Sequence, residues 1–226
     1  MGNTLVNVNG PTPCPLPVPW GVRYHAATLP AGTKDIVLSR KYKSAFGEYI
    51  QPVNLVLHRM RVSPDHLTFA GIVFGGLAGL AFAQGRLMPA GIFLILAGVS
   101  DMLDGSLARA SGEASPFGSY IDSVADRFTE ALIFTGVAWH LRERPELLLV
   151  LAALAGSYLV SYAKARAEAL GIPCEVGLME RPERFIVLAA GALLGLLVPA
   201  LWVLAALTTF TVGQRVLHVR GAMKSR

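Results

Sequence analysis

Charge is scarce in this chain. Only 15% of its 226 residues are Asp, Glu, Lys or Arg, against roughly a quarter in a soluble domain. With 53% hydrophobic residues and a mean hydropathy of +0.50, that shortage excludes an ordinary soluble domain. It points to an all-α integral membrane protein, read as one domain. Cysteine is nearly absent: Cys14 and Cys174 are the two present, too few and too far apart for a disulfide framework or a zinc site. Residues 1–30 lack an apolar run and hold several prolines, so no cleavable signal peptide is expected. Internal repeats are also missing, which weighs against a transporter built from duplicated halves.

What is present is a set of long apolar stretches. The pattern predicts six transmembrane helices over residues 66–84, 88–110, 117–140, 147–170, 183–198 and 200–217, each near the twenty or so residues that cross a bilayer. The last two are expected to join at Val198-Pro199. The basic residues fall mainly before the first span, between spans four and five, and at the C-terminus. Only Arg86, Arg142 and Arg144 occupy the alternate connections. By the positive-inside rule both termini, and the ends of the helices next to them, face the cytoplasm of a cell membrane. The basic excess therefore reads as membrane orientation, and no nucleic-acid partner is expected. Residues 1–37 form a Pro-rich tail. Residues 38–62 mix basic and apolar side chains around Pro52, as a juxtamembrane amphipathic helix in the interface would. The six-helix domain covers 63–220, with Ser63 as candidate N-cap and Pro64 at the first helical position, and 221–226 is a basic tail. Gly71, Gly75 and Gly79 make a small-residue stripe on the first span, suited to close helix packing within the chain or across a dimer.

Against this apolar background stand four carboxylates. Asp101, Asp104, Gly105, Ala108 and Arg109, then Gly118, Asp122 and Asp126, spell D-x2-D-G-x2-A-R-x8-G-x3-D-x3-D. Four acids at helix centres would cost roughly 10 kcal/mol on insertion scales. Asp101, Asp104, Gly105 and Ala108 share one face of the second span, and Gly118, Asp122 and Asp126 one face of the third. The short connection makes these helices antiparallel neighbours. Oxygen donors without His or Cys suit magnesium or manganese, and magnesium commonly keeps substrate phosphates as co-ligands. One acid can be spared to take a proton. Arg109 can fork onto phosphate. Pairing with Arg109 and Arg127 alone would leave the acids uncompensated. Glu130, four residues past Asp126, either extends the site or makes an interhelical hydrogen bond.

This pattern resembles the signature of the CDP-alcohol phosphatidyltransferase family at all its fixed positions, and the resemblance spans about residues 40–220. It implies transfer of the phosphatidyl group of a CDP-lipid to an alcohol, with release of CMP. It implies metal binding, of two ions, by Asp101, Asp104, Asp122 and Asp126, with Asp126 also the catalytic base. Gly105, Ala108, Arg109 and Gly118 would bind CDP, joined by Asp65 and Thr68, and the enzyme would be a homodimer.

A second segment bears on the alcohol. Ser161, Lys164 and Arg166 precede Glu180-Arg181-Pro182-Glu183-Arg184, and the cations suit a phosphate. Both pieces resemble the phosphatidylinositol phosphate synthase branch of the family and its archaeal-type ether-lipid relatives. That resemblance implies inositol 1-phosphate as acceptor, held by Ser161, Lys164, Arg166, Arg181 and Arg184. The donor would be CDP-diacylglycerol or an ether-lipid analogue. Glycerol 3-phosphate is the alternative acceptor, and a cation-coupled transporter the remote alternative in function.

Overall fold

The computed structural model describes residues 63–111 and 115–224, leaving out the side chains of residues 109–111. The juxtamembrane segment 38–62 and the Pro-rich tail 1–37 lie outside the described residues. Six helices make up the rest: α1 Pro64–Ala83, α2 Leu87–Ser111, α3 Pro116–His140, α4 Leu147–Ala169, α5 Arg181–Leu193 and α6 Leu197–Lys224. No strand occurs among the described residues. Four stretches are long and apolar enough to cross a membrane: Pro64–Ala83, Leu87–Ala108, Leu147–Ala169 and Leu197–Lys224. Large apolar side chains such as Phe69, Phe117, Leu148, Ile186 and Trp202 point outward on these and the other helices, an arrangement that suits lipid rather than water. The chain is a multi-pass membrane protein.

The helix ends follow local chemistry. Ser63 precedes α1 in extended backbone with Pro64 as first helical residue, and Ser115 caps α3 by accepting from Gly118 N at 3.0 Å. Gly85, Gly171 and Gly195 follow α1, α4 and α5 with φ of 72°, 69° and 70°, the left-handed conformation that glycine adopts at little cost. The last corrects the expected break at Val198-Pro199. The chain turns at Leu194–Leu196, where Leu196 N bonds back to Gly191 O at 2.7 Å. Pro199 instead lies in the first turn of α6, where its missing N–H breaks no helical bond.

Contacts along the helices fix their directions. Thr68 of α1 meets Asp104 of α2, while the later Gly71 faces the earlier Ala97, so α1 and α2 are antiparallel. Gly75 meets Thr129, and Gly79 meets Leu132, so α1 and α3 are parallel. Gly156 meets Thr208 and Val160 meets Arg215, making α4 and α6 parallel. Gly91 meets Leu193 and Asp101 meets Arg181, making α2 and α5 antiparallel. The helices alternate in direction from first to last. Extensive packing joins α1 to α2 and α3, α2 to α5, and α6 to α4 and α5. The expected α2–α3 neighbours thus lean on α1 more than on each other.

This alternation sorts the bundle into two ends. The apolar core, including Phe82, Leu94, Phe134, Val150, Leu188 and Leu201, gathers where α1, α3 and α5 finish. The polar side chains gather where those three helices begin. The glycine stripe on α1 serves packing within the chain: a Cβ on Gly136 would stand 2.0 Å from Gly79 O.

Candidate active site

The polar end is built by one turn or two of each helix. The C-terminal half of α2 presents Asp101 and Asp104, and the N-terminal half of α3 presents Asp122 and Asp126. One carboxylate oxygen from each of Asp101, Asp122 and Asp126 lies within 4.8 Å of the others. Oxygens on opposite sides of a small hard cation stand about 4.2 Å apart, given bonds near 2.1 Å. Three oxygen donors gathered this closely can draw in around such an ion. Asp122 Oδ1 is buried with no hydrogen-bond partner among the described residues, which is the condition of a ligand atom rather than of a structural ion pair. Asp104 is nearly fully buried and sits beside the trio, its Oδ2 accepting from Thr68 Oγ1 at 2.7 Å. That bond ties α1 to the site. A narrow cavity lined by Thr68, Gly71, Asp101, Asp104, Asp126 and Arg181 runs between them.

Arg181, the first residue of α5, reaches into the trio. Its Nη1 donates to Asp101 Oδ1 and stands 2.5 Å from Asp126 Oδ1. Its guanidinium carbon lies 5.0 Å from the Phe185 ring centre, and its Nε is buried with no partner among the described residues.

A larger cavity of about 300 Å³ opens on the other side of Arg181 and Asp126. Four of the five side chains expected around a phosphate line it: Ser161 and Lys164 from α4, and Arg181 and Arg184 from α5. Arg166 does not; it is exposed, elsewhere around α4. Arg184 is buried and forks onto Glu130, with Nε–Oε1 2.9 Å and Nη2–Oε2 3.3 Å. Glu130, left open by its spacing alone, thus joins α3 to α5 and lines the cavity.

Arg127, Glu168, Glu180 and Arg215 also stand in the wall; the sequence alone presents Arg127 only as a counter-charge to the aspartates and does not single out Arg215. Arg215 is 2% exposed. It donates to Val176 O at 2.9 Å, to Val160 O at 2.5 Å and to Glu180 Oε1 at 3.0 Å. Lys164 Nζ stands 3.7 Å from the same Glu180 oxygen. A signal for Arg215 existed: Thr208, Thr211 and Arg215, at i, i+3 and i+7, draw a polar line on one face of α6. Arg127 donates to Ser123 O, and its own carbonyl accepts from the Tyr158 hydroxyl at 2.7 Å.

Of the residues expected to hold the nucleotide, Thr68 lines the narrow cavity, whereas Gly105, Ala108, Gly118 and Asp65 share this end of the bundle but line neither cavity. Gly105 and Ala108 are half-buried past Asp104 on α2, Gly118 is exposed at the start of α3, and Asp65 is exposed at the start of α1. The side chain of Arg109 lies outside the described residues. Thr68 is spent on Asp104.

The family profile of CDP-alcohol phosphatidyltransferases matches residues 61–213. An archaetidylinositol phosphate synthase of Methanothermobacter thermautotrophicus is 35% identical over 190 residues, 81% of this chain and 95% of that protein. Among solved structures, the phosphatidylinositol phosphate synthase of Mycobacterium tuberculosis with CDP-DAG bound superposes with a TM-score of 0.68 and 33% identity, covering 75% of this chain and 92% of that one. The same enzyme in complex with manganese and citrate gives 0.69 and 32%, covering 75% and 88%.

Proposed function

The chain belongs to the CDP-alcohol phosphatidyltransferase family, and from that premise we propose that it transfers the phosphatidyl group of CDP-diacylglycerol, or of an ether-lipid analogue, to inositol 1-phosphate. The products are a phosphatidylinositol phosphate and CMP. One observation carries the choice of acceptor: the cavity that adjoins the aspartates gathers Lys164, Arg127, Arg181, Arg184 and Arg215, which outnumber the acids Asp126, Glu130, Glu168 and Glu180 in the same wall. A phosphorylated alcohol suits that wall, whereas choline or ethanolamine would find no use for it. The related proteins named for inositol phosphate products support the same reading.

Asp101, Asp122 and Asp126 fit magnesium or manganese by donor type and spacing, and we assign Asp104 to the same site. Two ions there would lend positive charge to the pyrophosphate and ease departure of the CMP oxygen. The protein's own steps are then few. Cationic side chains orient the acceptor so that its hydroxyl faces Asp126. Asp126 takes the hydroxyl proton as the new oxygen–phosphorus bond forms. The bond from that phosphorus to the CMP oxygen breaks, and CMP leaves toward the α2 end, where Gly105, Ala108, Arg109 and Gly118, with Asp65 and Thr68, are assigned to the nucleotide.

The same reading makes α3 and α5 two further membrane crossings. Parallel α4 and α6 support it, because the segment joining their opposite ends must traverse the bundle. Both termini and the site then face the cytoplasm, and the enzyme works as a homodimer, as the family resemblance implies.

The test is CMP release by purified protein with CDP-diacylglycerol and magnesium, offering inositol 1-phosphate, glycerol 3-phosphate or free inositol. Release with inositol 1-phosphate alone is the expected result. Release with glycerol 3-phosphate alone would keep the chemistry and replace the acceptor.

A further inference from the structure

Two neighbouring residues hold opposite charges against two opposite subsites. Glu180 is the N-cap of α5 and Arg181 its first residue. Glu180 Oε1 lies on the cationic wall, 3.0 Å from Arg215 Nη2 and 3.7 Å from Lys164 Nζ. Arg181 Nη1 lies on the anionic cluster, bonded to Asp101 and 2.5 Å from Asp126 Oδ1. Each side chain thus occupies the place its subsite offers to a ligand. A divalent ion that takes oxygens from Asp101 and Asp126 must displace the guanidinium. A phosphate that takes Lys164 and Arg215 must displace the carboxylate. Arg181 belongs to both cavities, and only one peptide bond separates it from Glu180.

We propose that Glu180 and Arg181 act as a paired positioning device that couples the metal subsite to the acceptor-phosphate subsite. This rests on the acceptor assignment above. Filling either subsite frees one member of the pair and loosens the start of α5, which lowers the cost of freeing the other. By linkage the effect is reciprocal: the phosphate tightens the metal, and the metal tightens the phosphate. Once released from the aspartates, Arg181 can turn its fork to the phosphate in the larger cavity it already lines.

The experiment is a Mn²⁺ titration of the full-length protein in detergent, read by the loss of the free-ion electron paramagnetic resonance signal, with no CDP-lipid present. Arg181→Gln should bind Mn²⁺ more tightly than the wild type, by about fivefold or more, the lower range of such couplings. Inositol 1-phosphate should tighten Mn²⁺ binding by a similar factor in the wild type and have little effect in Arg181→Gln or Glu180→Gln. Arg181→Lys, which keeps the charge and loses the planar fork, should fall between. Unchanged or weaker Mn²⁺ binding in Arg181→Gln overturns the displacement. Undiminished tightening by inositol 1-phosphate in both Gln variants means simple attraction between ion and phosphate, and overturns the coupling. Inorganic phosphate is run in parallel. The acceptor reading fails separately, in the CMP-release assay, whereas the Mn²⁺ affinity of Arg181→Gln depends on the aspartates alone.

Discussion

At the scale of single residues, burial separates the acids by role. Asp126 faces both cavities, whereas Asp104 is held by Thr68. Asp126→Asn keeps the shape and hydrogen-bonding capacity and removes the base. Transfer should fall by at least about a hundredfold, the low end for a lost general base, while binding of CDP-diacylglycerol, followed by isothermal calorimetry, should change little. Turnover near the wild-type rate would remove Asp126 from that role. Glu130 and Arg184 answer to different physics. Both are almost completely buried, 3% and 2% exposed at the side chain, so cutting one leaves the other charged without a partner. Glu130→Gln should destabilise the protein by about 3–5 kcal/mol, read as a lowered midpoint of thermal unfolding in detergent. Adding Arg184→Met should restore much of that stability, because two apolar or neutral groups tolerate burial better than one orphaned charge. It should not restore acceptor binding if Arg184 also serves the phosphate. The carboxylate pattern was legible from spacing alone, because helical geometry places i, i+3 and i+4 on one face. The partner of Glu130 was not, because it lies on a helix 54 residues away, and spacing within one helix carries no register between two.

At the scale of helices, glycine sets how closely α1 and α3 approach. Gly79 and Gly136 meet backbone to backbone, and a Cβ on Gly136 would come within 2.0 Å of Gly79 O and 2.6 Å of Gly79 C. No rotamer relieves a contact with backbone, so α3 itself must move. Gly136→Ala should cost about 1–3 kcal/mol. It should also reduce activity, because the shift displaces Asp122 and Asp126 on the same helix. Gly221→Ala, in a place where a Cβ meets nothing within 4 Å, is the control and should leave the unfolding midpoint unchanged or slightly raised, since alanine favours a helix over glycine. The helices themselves were largely readable. Six apolar stretches were expected where six helices form, four of them long and apolar enough to cross a membrane, and Ser63-Pro64 marks the first start by capping chemistry. The junction of α5 and α6 was misplaced because proline was weighed as the breaker. The left-handed turn belongs to Gly195, four residues earlier, and a proline in a first turn breaks nothing. The polar face of α6 was passed over for a related reason. A line of three polar residues, Thr208, Thr211 and Arg215, scarcely alters the hydropathy of a helix of 28, yet Arg215 bonds to Val176, Val160 and Glu180.

At the scale of the whole molecule, the alternating helix directions turn a list of residues into an oriented machine. Residues far apart in sequence, from Thr68 to Arg215, come together because every second helix end lies on the same side. That convergence was only half legible. The sign pattern of the connections predicts which ends share a side, but the joining of Glu180, Lys164 and Arg215 depends on tertiary packing of α4, α5 and α6. The same pattern makes orientation testable. The turn after α3 holds Arg142, Glu143 and Arg144 and is expected on the outer side, while Glu175, exposed between α4 and α5, belongs to the side of the site. In a background with Cys14 and Cys174 replaced by Ala, a single cysteine is placed at Glu143 or at Glu175. Intact cells are then treated with a membrane-impermeant maleimide. Glu143→Cys should react in intact cells, its side chain being 83% exposed. Glu175→Cys should react only after the membrane is opened. The reverse order would put the site outside, away from cytoplasmic CDP-lipid and phosphorylated acceptors, and would require that the three arginines between the α1–α2 and α3–α4 connections outweigh the larger basic clusters on the opposite face. Labelling of both in intact cells would mean that α4 does not cross. Parallel packing of α4 and α6, joined through α5, argues against that outcome, as do the apolar exposed faces of both helices.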